Sequence, residues 1–253
     1  MILDAFNLQG KVAIVTGCGT GLGRGMALGL AEAGADIVGV YNRSEPDCAG
    51  EITGMGRRFL GIKADLADLD RIEPLVEQTV LAFGRVDILI NNAGIIRRQP
   101  ALEFTRENWD EVINLNLRSL FFLAQAVAKR FVAQESGGKI VNIASMLSFQ
   151  GGILVPSYTA SKSGVMGLTR ELACEWAAEN INVNAIAPGY MATENTRALQ
   201  HDPVRSTDIM KRIPAGRWGQ PVDLAGAVVF LASAAADYIH GYTLAVDGGW
   251  LAR

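Results

Sequence analysis

Tyr158 and Lys162 stand four residues apart in the run "SYTASK", whose other members are small. Four residues is little more than one helical turn, so on a helix the two side chains share a face. A tyrosine hydroxyl ordinarily loses its proton near pH 10, too high for a base that works near neutrality. An ammonium about 4 Å away contributes at most roughly 4 kcal/mol at an effective dielectric near 20. At about 1.4 kcal/mol per unit, that would lower the tyrosine by two to three units before burial opposes it. Such a pair can give and take a proton near working pH. The same spacing also suits a helix with one aromatic packed inward and one lysine in water, so the rest of the chain has to decide.

The elements around the pair follow one rhythm. Continuously apolar, β-branched runs begin at Val12, Asp36, Arg58, Val86, Lys139, Ile181 and Tyr242. Runs that do not alternate are those of strands covered on both faces. Helical spacing fills the intervals over Gly23–Ala33, Asp70–Phe83, Glu107–Val132, Ser157–Glu179 and Pro221–Ser233. This alternation predicts an α/β chain, a doubly wound (Rossmann) seven-stranded parallel sheet with helices on both faces. Only residues 189–219 break the pattern, being mixed and polar with Pro203 and Pro214. The expectation is one domain over residues 1–253 with a substrate lid at about 189–219.

Bulk properties narrow the function. The 253 residues carry a net charge of −3 and no basic block, which argues against nucleic acid and anionic membranes as partners. The start "MILDAFNLQGK" has no basic region followed by an apolar stretch, and "LAGAVVFLASAAA" is too short to span a bilayer. Cys18, Cys48 and Cys174 are odd in number and scattered, as in a reducing compartment. The two histidines, His201 and His240, have no ligand-like neighbours, so no metal is expected. A cytoplasmic protein fits these traits.

Directly after the first strand comes "TGCGTGLGRG", with Gly17, Gly21 and Gly23 in a Gly-x-x-x-Gly-x-Gly pattern. Positions without a Cβ let the chain turn tightly and let a pyrophosphate approach the amides at a helix N-terminus. At the end of the second strand an acid would suit ribose hydroxyls and a base a 2′-phosphate. Tyr41, Asn42 and Arg43 stand there, with no carboxylate, so the residues leave NAD and NADP both open.

The glycine pattern, "NNAG" at Asn91–Gly94, Asn116 in "NLNL", Ser145 thirteen residues before Tyr158, and the Tyr158–Lys162 pair together resemble the short-chain dehydrogenase/reductase family. "PGYMAT" from Pro188 and "VDGG" from Asp247 are similar to two further family segments, and the resemblance runs from Gly10 to the C-terminus. It implies a catalytic set of Asn116, Ser145, Tyr158 and Lys162. In that set Ser145 bonds the substrate oxygen, Asn116 supports a water relay, and Lys162 also holds the nicotinamide ribose. It further implies that Gly17, Thr20, Gly21, Leu22 and Gly23 line the pyrophosphate and that Asp65 and Leu66 line the adenine. Asn92, Ala93 and Gly94 would then line the adenosine ribose side, with Met191 and Thr193 at the carboxamide. The family is usually tetrameric, and NAD is the cofactor the resemblance favours, with NADP not excluded.

Within that family, "NNAGIIRR", "NIASMLSFQGG", "RIPAGRWG" and "VDGGWLAR" resemble the members acting on keto and hydroxy sugar acids of the 2-dehydro-3-deoxy-D-gluconate and 2-deoxy-D-gluconate type. Gluconate 5-dehydrogenases and 3-oxoacyl-carrier-protein reductases are the alternatives. A dinucleotide-binding regulator without turnover is the non-enzyme reading. Arg97 and Arg98 follow the "NNAG" loop. A guanidinium can give a carboxylate two parallel hydrogen bonds, so Arg97 is expected at the substrate together with Ser145.

Overall fold

The computed structural model describes residues 1–43 and 45–253. Seven strands, β1 (Val12–Thr16), β2 (Asp36–Tyr41), β3 (Phe59–Lys63), β4 (Ile88–Asn91), β5 (Gly138–Ile143), β6 (Ile181–Pro188) and β7 (Thr243–Val246), form one sheet. Every pairing is parallel and the order is β3-β2-β1-β4-β5-β6-β7, as the strand–helix rhythm predicts. The order reverses direction between β1 and β4, which opens a crevice beyond their carboxyl ends.

Helices cover both faces. They are α1 (Gly21–Glu32), α2 (Ala49–Gly54), α3 (Ile72–Phe83), α4 (Arg106–Ile113), α5 (Ser119–Ala133), α6 (Pro156–Trp176), α7 (Arg197–His201), α8 (Pro203–Arg212) and α9 (Ala225–Ala232). Successive strand residues point to opposite faces. In β1, Ala13 and Val15 meet Met26 and Leu30 of α1 and Val228 and Leu231 of α9. Val12 and Ile14 meet Leu75 of α3, Leu123 and Phe131 of α5, and Leu172 of α6 on the other side. Two apolar faces explain why the strands read as unbroken apolar runs.

Three elements depart from the sequence reading. The helix expected over Glu107–Val132 is split by a π-helical turn, Asn114–Arg118, where the Ser119 hydroxyl donates to the Asn114 and Leu115 carbonyls at 2.9 and 2.8 Å. The widened turn aims Asn116 inward, and such turns concentrate at functional positions. The short helix α2 has weak local propensity and depends on tertiary contacts. Its Ile52 is buried, and Arg24 of α1 pairs with Asp47 at 2.9 Å and with Glu51.

The polar stretch 189–219 is largely helical, with a 3-10 turn at Glu194–Thr196 followed by α7 and α8. Asp202 caps α8 by accepting from the Val204 and Arg205 amides, both at 3.0 Å, and Pro203 opens the helix. The stretch is closed at its base. The Ala192 amide donates to the Gly219 carbonyl at 2.7 Å, and the Gly219 amide to the Tyr190 carbonyl at 2.9 Å. Among the described residues no helix is long and apolar enough to cross a membrane.

Candidate active site

The crevice at the β1/β4 reversal is a cleft of about 550 Å³. Gly17 and Gly21 take φ of +65° and +56°, a region that disfavours side chains. A Cβ on Gly21 would enter the cleft, 3.5 Å from Thr193 on the opposite wall. Thr20 precedes α1 without a side-chain cap, so the first amides of that helix have no side-chain acceptor. A glycine cradle facing bare helix-start amides fits the pyrophosphate of a nicotinamide dinucleotide. Leu22, Asp65, Leu66, Asn92, Ala93 and Gly94 also line the cleft, as do Tyr41, Asn42 and Arg43 at the end of β2.

Two expected cofactor residues do not line the cleft. Gly23 is spent on packing, because a Cβ there would sit 2.1 Å from the Gly17 carbonyl oxygen. Met191 is buried, and its sulfur would lie 2.1 Å from a Cβ on Gly219. Asn92 lines the cleft but also braces it, donating from Nδ2 to the Thr16 carbonyl at 2.8 Å. The Thr16 hydroxyl in turn accepts from the Asn92 and Ala93 amides, both at 2.9 Å. Asp65 likewise has a second partner, accepting from the Ala67 amide at 3.1 Å.

Of the four proposed catalytic side chains, Tyr158 and Lys162 line this cleft, Ser145 lines a neighbouring cavity that Tyr158 also borders, and Asn116 lies behind the Ile95 backbone. Asn116 is fully buried and pins the loop after β4: its Oδ1 accepts from the Ile95 amide at 2.8 Å and its Nδ2 donates to the Ile95 carbonyl at 2.9 Å. Nδ2 also reaches the Ser161 hydroxyl at 3.2 Å. Lys162 is buried, with its ammonium donating to the carbonyl of Ile143, the last residue of β5, at 2.6 Å. Ser145, two residues beyond β5, accepts from the Leu147 amide at 3.1 Å. Tyr158 lies in the first turn of α6, half-buried, with the Lys162 nitrogen 5.7 Å from its ring centre.

The electrostatics correct the sequence argument. Burial raises the Tyr158 hydroxyl above its usual value, opposed by the Ser145 hydroxyl and the Arg98 charge. Burial also brings Lys162 down to about 8. Low polarity disfavours charge on both groups, so the two values move apart: the proton is held on the tyrosine and the lysine gives its own up more easily.

Beyond Tyr158 lies a second cavity of about 400 Å³, walled by Ser145, Arg98, Tyr190, Trp250 and one face of α8. Tyr158 lines both spaces. The expected substrate residue Arg97 is not in this cavity. Its guanidinium pairs with Glu111 at 2.7 Å and borders the dinucleotide cleft, so its neighbour Arg98 takes the position by Tyr158. Sequence reasoning missed Arg205, Asp208, Arg212, Tyr190 and Trp250. The Arg205–Asp208–Ile209–Arg212 spacing was a usable signal, because it puts four residues on one helix face.

This sheet order, glycine cradle and Ser–Tyr–Lys cluster define a nicotinamide-dependent dehydrogenase, and the chain belongs to the short-chain dehydrogenase/reductase family. The family model described as Enoyl-(Acyl carrier protein) reductase matches residues 17–251. The chain is similar to 2-dehydro-3-deoxy-D-gluconate 5-dehydrogenase of Escherichia coli (strain K12), at 65% identity over 253 residues and 100% of both chains. Among solved structures it is similar to a candidate 2-deoxy-D-gluconate 3-dehydrogenase from Agrobacterium tumefaciens with bound NADP, with a TM-score of 0.92 and 55% identity over 99% of this chain and 100% of that one. A gluconate 5-dehydrogenase from Burkholderia cenocepacia J2315, in complex with NADP and tartrate, gives a TM-score of 0.95 and 40% identity over 100% of both chains.

The buried lysine has a measurable consequence. Its folded value of about 8 lies below the ordinary 10.5, so between those pH values the unfolded chain binds more protons. Stability from this residue therefore rises with pH across that window, by ~3 kcal/mol, and the full cost of the buried ammonium is present below it. In urea unfolding, the difference between Lys162→Met and the parent should move by that amount between the two pH values. A difference that stays flat would show that the ammonium is not desolvated.

Proposed function

We propose that this protein is an NAD(P)-dependent dehydrogenase interconverting a ketone and a secondary hydroxyl on a sugar acid of the 2-dehydro-3-deoxy-D-gluconate type. One observation carries the reading: Tyr158 stands between a dinucleotide-shaped cleft and a cavity bearing the guanidinium groups of Arg98, Arg205 and Arg212 against the single carboxylate of Asp208. The excess positive charge suits an acid, and the name of the 65% identical relative supports the choice. The intact Ser–Tyr–Lys set speaks against a regulator without turnover.

A bound nicotinamide dinucleotide supplies or accepts the hydride. Tyr158 gives its proton to the carbonyl oxygen during reduction and takes it from the hydroxyl during oxidation. Ser145 donates a hydrogen bond to the same oxygen and orients it. Lys162, with its ammonium near neutrality, can restore the tyrosine's proton, and Asn116 holds the Ile95 backbone that borders the site. Ligand charge entering the cleft would favour the lysine's ammonium over its neutral form.

The substrate class is tested with ketone-bearing hexonates against neutral sugars of the same length. The acids should be preferred, and Tyr158→Phe should lower kcat by 10²–10⁴-fold, the range of general acid–base catalysis, while dinucleotide binding survives. Equal activity on neutral sugars would remove the sugar-acid assignment, and near-parental kcat in folded Tyr158→Phe would remove the tyrosine's role.

On the cofactor, resemblance favours NAD, whereas Arg43 lines the cleft with no carboxylate at the end of β2, and two similar structures hold NADP. Both dinucleotides therefore belong to the proposal. If NADPH gives the higher kcat/KM, Arg43→Ala should reduce that preference by about tenfold or more, the worth of a charge-assisted bond to phosphate. An unchanged ratio would exclude Arg43 as the phosphate reader.

The stretch 189–219 we read as the substrate lid of a single catalytic domain, since α8 walls the cavity and the stretch is closed at its base. We also read the protein as a cytoplasmic homotetramer. Free Cys18, Cys48 and Cys174 support the compartment. The all-apolar helix α9, in which only Val228, Leu231 and Ala232 are buried, supports an interface. Light scattering at micromolar concentration should give four times the chain mass, and a clean monomer would overturn the assembly.

A further inference from the structure

The face of α8 that walls the second cavity carries Arg205, Asp208, Ile209 and Arg212 at helical spacing. Ile209 is buried and anchors the helix, while the three charged residues stand exposed at the cavity mouth. The C-terminal end of α8 is the better fixed. Ile213 just beyond it packs with Met146 and Trp250, and Arg253 donates to the Lys211 carbonyl at 2.8 Å.

Arg212 sits over this fixed end, its guanidinium carbon 4.1 Å from the centre of a Trp250 ring. Trp250 is itself wedged edge-on against Tyr190 at 4.8 Å, and Tyr190 against Trp218 at 5.5 Å. A guanidinium held over a packed ring by a cation–π contact loses less further freedom when it binds than one free in water. Among the described residues no carboxylate forms an ion pair with Arg212. The Trp250 indole N–H is a second unmatched donor in the same wall, buried and without an acceptor among the described residues.

We propose that Arg212, held on Trp250, is the residue that grips the substrate carboxylate. The inference rests on the sugar-acid reading, with reaction at the fifth carbon. If that carbon meets Tyr158 and Ser145, the carboxylate carbon lies four carbon–carbon bonds further along the cavity. Arg98 is at the wrong end for it. The Arg98 charge is felt at the Tyr158 hydroxyl, and its guanidinium donates to the Asn195 carbonyl at 3.2 Å. Arg98 therefore serves the reacting end.

The test compares a 5-keto-hexonate with its first-carbon amide, at saturating dinucleotide, in the parent and in Arg212→Met, Arg205→Met and Arg98→Met. Melting temperature and dinucleotide Kd report folding. The parent should favour the acid over the amide, and Arg212→Met should cut kcat/KM for the acid about 30-fold, chiefly through KM, while sparing the amide. Arg205→Met, which removes cavity charge but not the guanidinium over Trp250, should lower the preference far less than Arg212→Met. Should Arg212→Met fail to fold, Arg212→Gln, which keeps a polar stem, carries the same comparison. A folded Arg212 variant with the parental acid preference overturns the assignment, and loss of that preference in Arg98→Met instead would put the carboxylate there. A parent that does not distinguish acid from amide overturns both this inference and the sugar-acid reading beneath it.

Discussion

Everything at the site depends on how the loop after β4 is held open. The Thr16 hydroxyl takes the Asn92 and Ala93 amides, and the Asn116 amide group takes both backbone groups of Ile95. Between them, these clamps spend buried polar groups on fixing a backbone instead of filling a core. The dinucleotide cleft lies on one side of the fixed loop, and the second cavity opens where the loop runs on through Ile96 and Arg98. The π-helical turn at Asn114–Arg118 belongs to the same device, since it aims Asn116 at the loop.

With the loop fixed, the remaining chemistry is a balance of desolvation. Lys162 reaches a strand-end carbonyl at Ile143, and Tyr158 is covered by its surroundings, so both are pushed toward neutrality. With the tyrosine raised and the lysine lowered, a tyrosinate left after proton donation is readily reprotonated by the lysine's ammonium, which resets the acid for the next reduction.

The sequence made the sheet and the Tyr158–Lys162 pair legible because both rest on short-range regularities, whereas Ser145 rested on the family resemblance. Unbroken apolar runs report strands covered twice, and a four-residue offset reports a helix face. The split between α4 and α5 was illegible, because one extra residue in a turn leaves the apolar spacing nearly unchanged. Arg97 and Arg98 look identical in sequence, and only Glu111, fourteen residues on, separates their positions. Gly23 and Met191 sit in family-like segments, yet the backbone of Gly17 and the absent side chain of Gly219 claim their space. α8 hid in a stretch whose polarity reads as loop, since three of its four cavity-facing residues are charged.

The pairing of Met191 with Gly219 has a thermodynamic corollary. By joining the two ends of the intervening segment, it sets the closure entropy of that segment once, independently of what the residues inside it do. β6 and β7 keep their own ladder beside it, and the segment is tied to them at this neck and through the packing of Ile209 and Ile213 on Met146 and Trp250. Such a segment exchanges its amide hydrogens through local opening, at a free energy below that of the sheet. Length and composition inside the neck can also drift with little effect on global stability, so residues that read the ligand can change while the scaffold that holds the dinucleotide stays as it is.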